Sequence, residues 1–335
     1  MTPPQTEPRR AALEAFVHQA GYDPRALSPL AGDASNRRYL RLGGARPLVV
    51  MDAPPERGED VRPFLAITQA LQARSLSAPA VVAADPEHGF ILLEDLGDAL
   101  YARVASERPA DEQALYTAAV DLLAECLAEP PASLAPYDGA TLRREARLAL
   151  DWYYGEPPPP SLGAEFEALI DQALVPVATE RSAFVLRDYH AENLLWLDGR
   201  TGHARVGLLD YQDALAGHPA YDLISLIEDA RRGTSPELRA AMLARFLERR
   251  PDLDPPAFRA ACAALGAQRN LKIIGIFARL ARRDAKPRYL GLIPRVWDHL
   301  SRDLAHPDLA PLQRLVVKHL PPPDAAHLAR LGSLR

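Results

Sequence analysis

Apolar positions in the first hundred residues follow two periodicities, one helical and one typical of strands. Leu13, Phe16 and Val17 recur at helical spacing, which predicts a helix over residues 8–20 that ends at Gly21. A second helix is predicted over about residues 60–74. Short apolar runs separated by turn-forming residues predict four strands. These strands lie at residues 39–42, 47–51, 80–83 and 90–93.

The rest of the chain has a helical pattern from about residue 111 to its end, with one exception. Residues 183–209 form a strand-rich island, in which two apolar runs flank the turn-forming sequence Asp-Gly-Arg-Thr-Gly. We therefore predict an α+β protein with two lobes. The smaller lobe, over residues 1–95, contains the sheet. The larger and mainly helical lobe covers residues 96–335.

Composition and charge are those of an ordinary globular protein, and they narrow the functional classes. The chain has 335 residues, enough for about two domains, and 48% of them are hydrophobic. A net charge of −5 gives no reason to expect nucleic-acid or membrane-surface partners. Cys126 and Cys262 are isolated thiols. Residues 1–10 lack the apolar core of a secretory signal, and no apolar stretch is long enough to span a membrane. We expect a cytoplasmic protein, and its oligomeric state is left open.

The strand-rich island carries three polar residues in an order that suits phosphoryl transfer. Asp188 follows an apolar strand, Asn193 comes five positions later, and Asp210 ends the returning strand. In transfer from ATP, one carboxylate accepts the proton of the attacking hydroxyl, while an amide oxygen and a second carboxylate bind magnesium. Each residue alone is more often a turn former, because Asp and Asn side chains bond their own backbone. The ordered set favours the catalytic interpretation.

The segment 184–226 resembles the catalytic core of the aminoglycoside phosphotransferase and choline kinase group, distant relatives of the protein kinases. The resemblance implies a protein-kinase-like fold with an antiparallel-sheet lobe that binds nucleotide, and ATP and Mg²⁺ as cofactors. It makes Asp188 the catalytic residue and Asn193 and Asp210 the metal ligands. It also implies that Asp222 braces the catalytic loop from a helix start, for which a helix N-cap is the alternative.

Two earlier segments extend the resemblance into the smaller lobe. Residues 30–39 resemble the loop that covers the phosphates, and residues 91–96 resemble the hinge that receives adenine through its backbone groups. The nucleotide-binding residues that these segments imply are Gly32, Ser35, Asn36, Arg37, Arg38, Glu94 and Leu96.

The third-strand lysine usual in this group is missing, since the strand has Met51 and no lysine precedes Lys272. Either an arginine replaces it, with Arg37 and Arg38 the nearest candidates, or magnesium provides most of the phosphate neutralisation. Each arginine could equally be a solvated charge at a strand edge. The possible carboxylate partners are Glu56, Glu59 and Asp60.

One branch of the group, the anomeric N-acetylmuramate/N-acetylglucosamine kinases of peptidoglycan recycling, is most similar at residues 48–56, 186–190, 208–215 and 228–232. This resemblance implies transfer of the ATP γ-phosphate to the C1 hydroxyl of either sugar. The candidate sugar contacts are Tyr189, His190, Asp213, Glu228, Arg232, Arg269 and Asn270. A helix-surface or cap role is the alternative for Arg269 and Asn270. Alternative functions are a kinase for choline, homoserine or an aminoglycoside, and a pseudokinase that only binds nucleotide.

Overall fold

The computed structural model describes residues 7–30 and 36–333, so Gly32 and Ser35 lie outside the described residues. The chain divides into two compact units. The first unit contains the residues up to Arg103 together with Asn193–Asp213, and the second contains Val104–Glu192 together with Ala214–Arg335. Within the described ranges, no helix combines the length and the apolar character needed to cross a membrane. The lobe boundary after residue 95 stays a prediction.

A five-stranded antiparallel sheet with the strand order β1-β2-β3-β5-β4 forms the centre of the first unit. Its strands are β1 (Leu27–Pro29), β2 (Arg38–Leu42), β3 (Leu48–Asp52), β4 (Val81–Asp85) and β5 (Phe90–Glu94). Two helices belong to the same unit, α1 (Glu7–Gln19) and α2 (Arg62–Gln72). The β2–β3 hairpin pairs in register from Leu42 with Leu48 to Arg38 with Asp52.

The apolar face of α1 builds a core against this sheet. Leu13, Phe16 and Val17 pack with strand residues at alternating positions, including Leu48 and Val50 of β3. Alternation is expected because successive side chains of a strand point to opposite faces. The helical spacing in the sequence therefore identifies the side of α1 that is buried.

A second hairpin joins the first unit although it is distant in sequence. It consists of β7 (Leu194–Trp196) and β8 (Val206–Leu208), which pair antiparallel. Backbone hydrogen bonds attach it to earlier segments of the unit, from Trp196 N–H to the carbonyl of Ala99 (2.8 Å) and from Leu208 N–H to that of Ser77 (2.9 Å). These bonds explain why the hairpin belongs to the first unit, although the residues before and after it in the sequence belong to the second unit.

The second unit is mainly helical and contains one two-stranded antiparallel sheet, β6 (Ala183–Val185) with β9 (Leu215–Gly217). The short helix α3 (Tyr101–Glu107) includes the point at which the chain passes from the first unit to the second. The other helices are α4 (Glu112–Cys126), α5 (Gly139–Ala146), α6 (Pro160–Leu174), α7 (Ala220–Ile227), α8 (Pro236–Arg249), α9 (Pro255–Arg282), α10 (Ile293–Asp303), α11 (Ala310–His319) and α12 (Ala325–Ser333).

The elements predicted from the apolar pattern in the first unit are present, with boundaries shifted by one or two residues. Two short strands are missing from the prediction, β1 and β9. Their sequences, Leu-Ser-Pro and Leu-Ala-Gly, contain no apolar run of the kind that predicted the equally short β6, β7 and β8. The second, β9, also shows that strand structure continues beyond the predicted island of residues 183–209.

Candidate active site

Asp188 lies three residues beyond β6, in a loop whose backbone is held by α7. The carboxylate of Asp222 accepts hydrogen bonds from the backbone N–H groups of Leu186 (2.6 Å) and Arg187 (2.9 Å). Asp222 is buried and is the third residue of α7, so it is not the helix N-cap. Burial raises the pKa of Asp222 to about 7, although both backbone donors lower it.

The two residues after Asp188 are turned into the interior of the second unit. Tyr189 is 1% exposed, and its hydroxyl donates to the carbonyl of Ala119 at 2.9 Å. His190 is also buried, and burial lowers its pKa although the charges of Asp229 and Asp188 raise it. Its imidazole is therefore neutral at physiological pH. The proposed contacts of both residues with a sugar stay predictions.

Asn193 and Asp210 lie at the two ends of the β7–β8 hairpin in the first unit, while Asp188 belongs to the second unit. The backbone N–H of Leu209 donates to the carbonyl of Asn193 at 3.0 Å, which fixes the two hairpin ends beside each other. Asp210 has a φ angle of +56°, which a non-glycine residue adopts at a cost. The side-chain amide of Gln212 donates to its Oδ1 at 2.9 Å.

Tyr211 anchors this turn to α2. Its ring stacks on Phe64 with 5.1 Å between centroids, and its hydroxyl lies 2.8 Å from that of Thr68. Tyr211 is fully buried, whereas the preceding Asp210 is exposed. The anchor thus fixes the backbone at a residue that presents its carboxylate to solvent.

The donor atoms of Asn193 and Asp210 fit a magnesium ion. An amide oxygen and a carboxylate oxygen are hard ligands, and Mg²⁺ usually takes one or two such ligands from protein and the rest from phosphates and water. In the part of the chain that the structure describes, no group of three or more His, Cys, Asp or Glu side chains is placed to hold a metal. The pair therefore suits a metal that a nucleotide also binds.

The adjacent arginines of the first unit have different partners. Arg38 donates to Asp52 at 2.8 Å, and Arg9 of α1 donates to the same buried carboxylate at 2.7 Å. Arg37 instead donates to Glu59 at 2.7 Å, with side chains only 15% and 14% exposed. Burial lowers the pKa of Arg37, but Glu59, Tyr39 and Asp210 raise it overall.

The hinge residues at the end of β5 contact the β7–β8 hairpin. Glu94 forms an ion pair with Arg200 and accepts a hydrogen bond from the backbone N–H of Ala80 at 3.2 Å. Leu96 packs so close to Gly207 that a Cβ on that glycine would lie 3.3 Å from the leucine side chain.

Asn36, the remaining nucleotide-binding candidate among the described residues, donates a hydrogen bond to the carbonyl of Arg57 at 3.3 Å. The nucleotide-binding roles of these residues stay predictions.

Three of the candidate sugar contacts are buried in a polar cluster of the second unit. Asn270, fully buried in α9, donates to Glu228 at 2.8 Å and to Asp303 at 2.9 Å. The neighbouring Arg269 donates to Ser225 at 2.8 Å. Arg269 and Asn270 are buried in the middle of α9, so the helix-surface or cap alternative is wrong for both residues, and their contact with a sugar stays a prediction. Their partners tie α9 to Ser225 of α7, to Glu228 directly after it and to Asp303 of α10.

The remaining two candidates are closer to the surface. Arg232 forms an ion pair with Glu112, and its guanidinium lies 6.0 Å from the ring centroid of Tyr116. Asp213 is exposed. Both stay candidates for contact with a polar substrate.

Sequence reasoning missed Glu145, Lys272 and Asp229. Glu145 of α5 pairs with Arg187, and Lys272 of α9 lies 3.0 Å from the same carboxylate. Asp229 is 1% exposed and accepts a hydrogen bond from the backbone N–H of Arg231 at 2.7 Å. No local motif marks Glu145 and Lys272, because their partners are remote in sequence. The available signals were that Lys272 is one of three lysines in the chain and that Asp229 lies in the segment 228–232, which carries the resemblance.

Comparison with known proteins gives consistent matches. The model of the phosphotransferase enzyme family matches residues 26–262. The N-acetylmuramate/N-acetylglucosamine kinase of Caulobacter vibrioides is 40% identical over 93% of this chain and 97% of its own length. The protein of the same name from Pseudomonas aeruginosa is also 40% identical, over 88% of each chain.

Solved structures agree at the level of the fold. The choline kinase LicA from Streptococcus pneumoniae matches with a TM-score of 0.60 and 11% identity, over 89% of this chain and 100% of that one. At such low identity the likeness concerns architecture alone. The protein-kinase-like α+β fold predicted from the sequence is thereby confirmed.

Proposed function

Because this chain belongs to the phosphotransferase enzyme family, we propose that it transfers the γ-phosphate of ATP to an N-acetylated amino sugar. The acceptors proposed are N-acetylmuramate, N-acetylglucosamine or both. The observation that carries this proposal is the 40% identity, over 93% of the chain, to a kinase named for these two sugars. The finer claim, that the C1 hydroxyl is phosphorylated, rests on the resemblance seen in the sequence. A cytoplasmic location stays a prediction.

Asp188 is proposed as the group that receives the proton of the sugar hydroxyl. As the oxygen attacks the γ-phosphorus, the bond to the β-phosphate oxygen breaks and ADP leaves with that electron pair. The two backbone hydrogen bonds from the catalytic loop to Asp222 support this role, because a proton acceptor must be held within hydrogen-bond reach of its substrate.

Asn193 and Asp210 are proposed as the magnesium ligands. Magnesium, when bound, would supply positive charge that neutralises the phosphate oxygens. Their support is the hydrogen bond between the hairpin ends and the anchoring of the turn through Tyr211.

Arg37 is proposed to take the place of the missing lysine, with Glu59 as its carboxylate partner. A guanidinium suits this task because it stays charged and can donate two parallel hydrogen bonds to a phosphate. The electrostatic effect of Asp210 on Arg37 supports the assignment, since Asp210 is a proposed metal ligand. Arg38 has a buried partner in Asp52 and is proposed as structural.

The experiment that tests the function is a measurement of ADP formation by purified protein with ATP and magnesium across a panel of acceptors. The panel contains N-acetylmuramate, N-acetylglucosamine, glucose, choline, homoserine and kanamycin. We expect turnover with one or both N-acetyl sugars. Turnover with another acceptor alone would overturn the proposed substrate, and nucleotide binding without any turnover would identify a pseudokinase.

A further inference from the structure

The backbone of the catalytic loop has an unusual conformation immediately before Asp188. Arg187 has a φ angle of +73°. This left-handed region is costly for a residue with a Cβ, and it persists only where surrounding contacts hold it. The contacts that hold Arg187 therefore also fix the direction in which the chain enters Asp188.

One set of contacts holds the backbone of Arg187 and comes from α7. Asp222 accepts its N–H at 2.9 Å, and the hydroxyl of Ser225 donates to its carbonyl oxygen at 3.4 Å. These bonds would be available to any residue type at this position. They leave open what an arginine side chain contributes there.

A second set of contacts holds the side chain of Arg187 and comes from Glu145 of α5 and from Tyr137, which precedes that helix. Its guanidinium forms an ion pair with Glu145 and lies 5.3 Å from the ring centroid of Tyr137. Lys272 is 3.0 Å from the same Glu145 carboxylate. The hydroxyl of Tyr137 donates to Glu145 as well and reaches that of Tyr221 at 3.0 Å. The Glu145 carboxylate thus contacts two cationic side chains and one hydroxyl group.

This cluster is largely removed from water, which strengthens its electrostatic interactions. The side chains of Arg187, Glu145 and Lys272 are 19%, 13% and 14% exposed. Burial raises the pKa of Glu145, but Lys272 and Arg187 lower it by more, so the carboxylate remains charged. Loss of that charge would leave two cations side by side.

We propose that Glu145 is a positioning residue, which holds Arg187 in its left-handed conformation and thereby aims Asp188, with Lys272 holding Glu145 in place. This inference rests on the proposed role of Asp188 as proton acceptor. Glu145 touches no reacting atom. Its removal is expected to lower kcat and to change the KM values for ATP and sugar little, because misplacement of a catalytic group by about 1 Å can cost 100-fold in rate.

The test compares Glu145→Gln and Lys272→Met with a control ion pair in the same unit. Asp121 accepts hydrogen bonds from Arg245 at 2.7 and 2.9 Å, between α4 and α8, and Asp121→Asn breaks that pair. All variants are assayed well below their unfolding temperatures. We expect kcat of Glu145→Gln to fall about 10- to 100-fold with each KM within about twofold, while Asp121→Asn keeps wild-type kcat. Lys272→Arg, which retains the charge, should recover most of the activity lost in Lys272→Met.

Hydrogen–deuterium exchange provides a readout that needs no activity. In Glu145→Gln the amides of Leu186 and Arg187 should exchange about tenfold faster, because their bonds to Asp222 open locally, and α8 should be unchanged. If Glu145→Gln had the kcat and the amide exchange rates of the wild type, the proposal would be overturned. If Glu145→Gln does not fold, wild-type kcat and exchange rates in Lys272→Met would overturn it instead. Full activity in Asp188→Asn would instead refute the proposed function, while the exchange data would still decide whether Glu145 holds the loop.

Discussion

Arg37 and Arg38 are neighbours in sequence, but their guanidinium groups have different electrostatic surroundings. Arg38 and Arg9 both pair with the buried Asp52 carboxylate, so the loss of Arg38 removes one of the two charges that compensate this carboxylate. Arg37 is paired with Glu59, and the negative charge of Asp210 raises the pKa of its guanidinium. The charge that is available to a phosphate is therefore expected at Arg37.

Substitution of each arginine separates these roles. Arg37→Ala should raise the KM for ATP about tenfold or more, since a hydrogen bond to a charged group is worth roughly 1.5–3 kcal/mol. Arg38→Ala, the matched control, should lower the unfolding temperature and leave the KM for ATP nearly unchanged. Steady-state kinetics with varied ATP measures both. An equal rise of KM in the two variants would contradict the distinction.

Asp188→Asn removes the proposed proton acceptor while it keeps the shape of the side chain. We expect turnover to fall by about 100-fold or more, which is usual for loss of a general base, and the dissociation constant for ATP to stay close to that of the wild type. Single-turnover rates and calorimetric ATP titration measure the two quantities. If the variant lost turnover and ATP binding together, the assignment of Asp188 as a base would be wrong.

At the scale of elements, α7, α9 and α10 are joined by a pair of buried carboxyl groups. Asn270 bridges Glu228 and Asp303, and burial together with mutual repulsion raises the pKa of Asp303 well above its usual value. The proximity of the two carboxyl groups favours a proton shared between them. Their other charged neighbours are Arg239, Arg269 and Arg302. Gly266 makes room for this contact, since a Cβ there would lie 2.6 Å from the Asp303 carboxylate.

The raised pKa makes the stability of the second unit depend on pH. The folded chain keeps a proton that the unfolded chain releases above about pH 4. The stabilisation that comes from this proton is therefore complete at lower pH and is lost as the pH rises through the raised pKa of the folded state. Asp303→Asn supplies a permanent N–H in place of the shared proton. Its unfolding temperature relative to the wild type should therefore improve by about 2 °C or more between about pH 5 and pH 8.5. A difference that is constant across this range, measured by thermal denaturation, would contradict the shared proton.

Elements and site residues could be predicted from the sequence where a run of neighbouring residues carries the pattern. The strands of the first sheet have five apolar-rich residues each except for β1, and Asn193 and Asp210 flank a single hairpin. The three-residue strands β1 and β9 give no such pattern. Nor could the ion-pair clusters be predicted, because Arg187 and Glu145 are 42 positions apart and meet only through tertiary packing.

At the scale of the whole molecule, each compact unit is built from two segments that are separate in the sequence. The segment Asn193–Asp213 belongs to the first unit, although the chain before and after it belongs to the second. The proposed metal ligands thus share a unit with the nucleotide-binding candidates Arg37 and Glu94. Nucleotide and metal should consequently stabilise the protein together.

Thermal unfolding can test this coupling, because a ligand that binds only the folded state raises its stability. ADP with magnesium should raise the unfolding temperature of the wild type more than ADP with EDTA does. Asp210→Asn should remove that difference, whereas Asp198→Asn, at an exposed turn of the same hairpin, should preserve it. A magnesium effect that persists in Asp210→Asn would exclude this carboxylate as a metal ligand.

The identity of the product decides whether this protein is an anomeric amino-sugar kinase. Phosphorus and proton NMR spectra of the reaction of ATP with N-acetylmuramate or N-acetylglucosamine report which hydroxyl receives the phosphate. We predict a phosphorus signal that couples to the proton on C1 of the sugar and appears at the rate of ADP formation. A phosphate coupled to any other sugar proton, or release of inorganic phosphate alone, would contradict the proposed reaction.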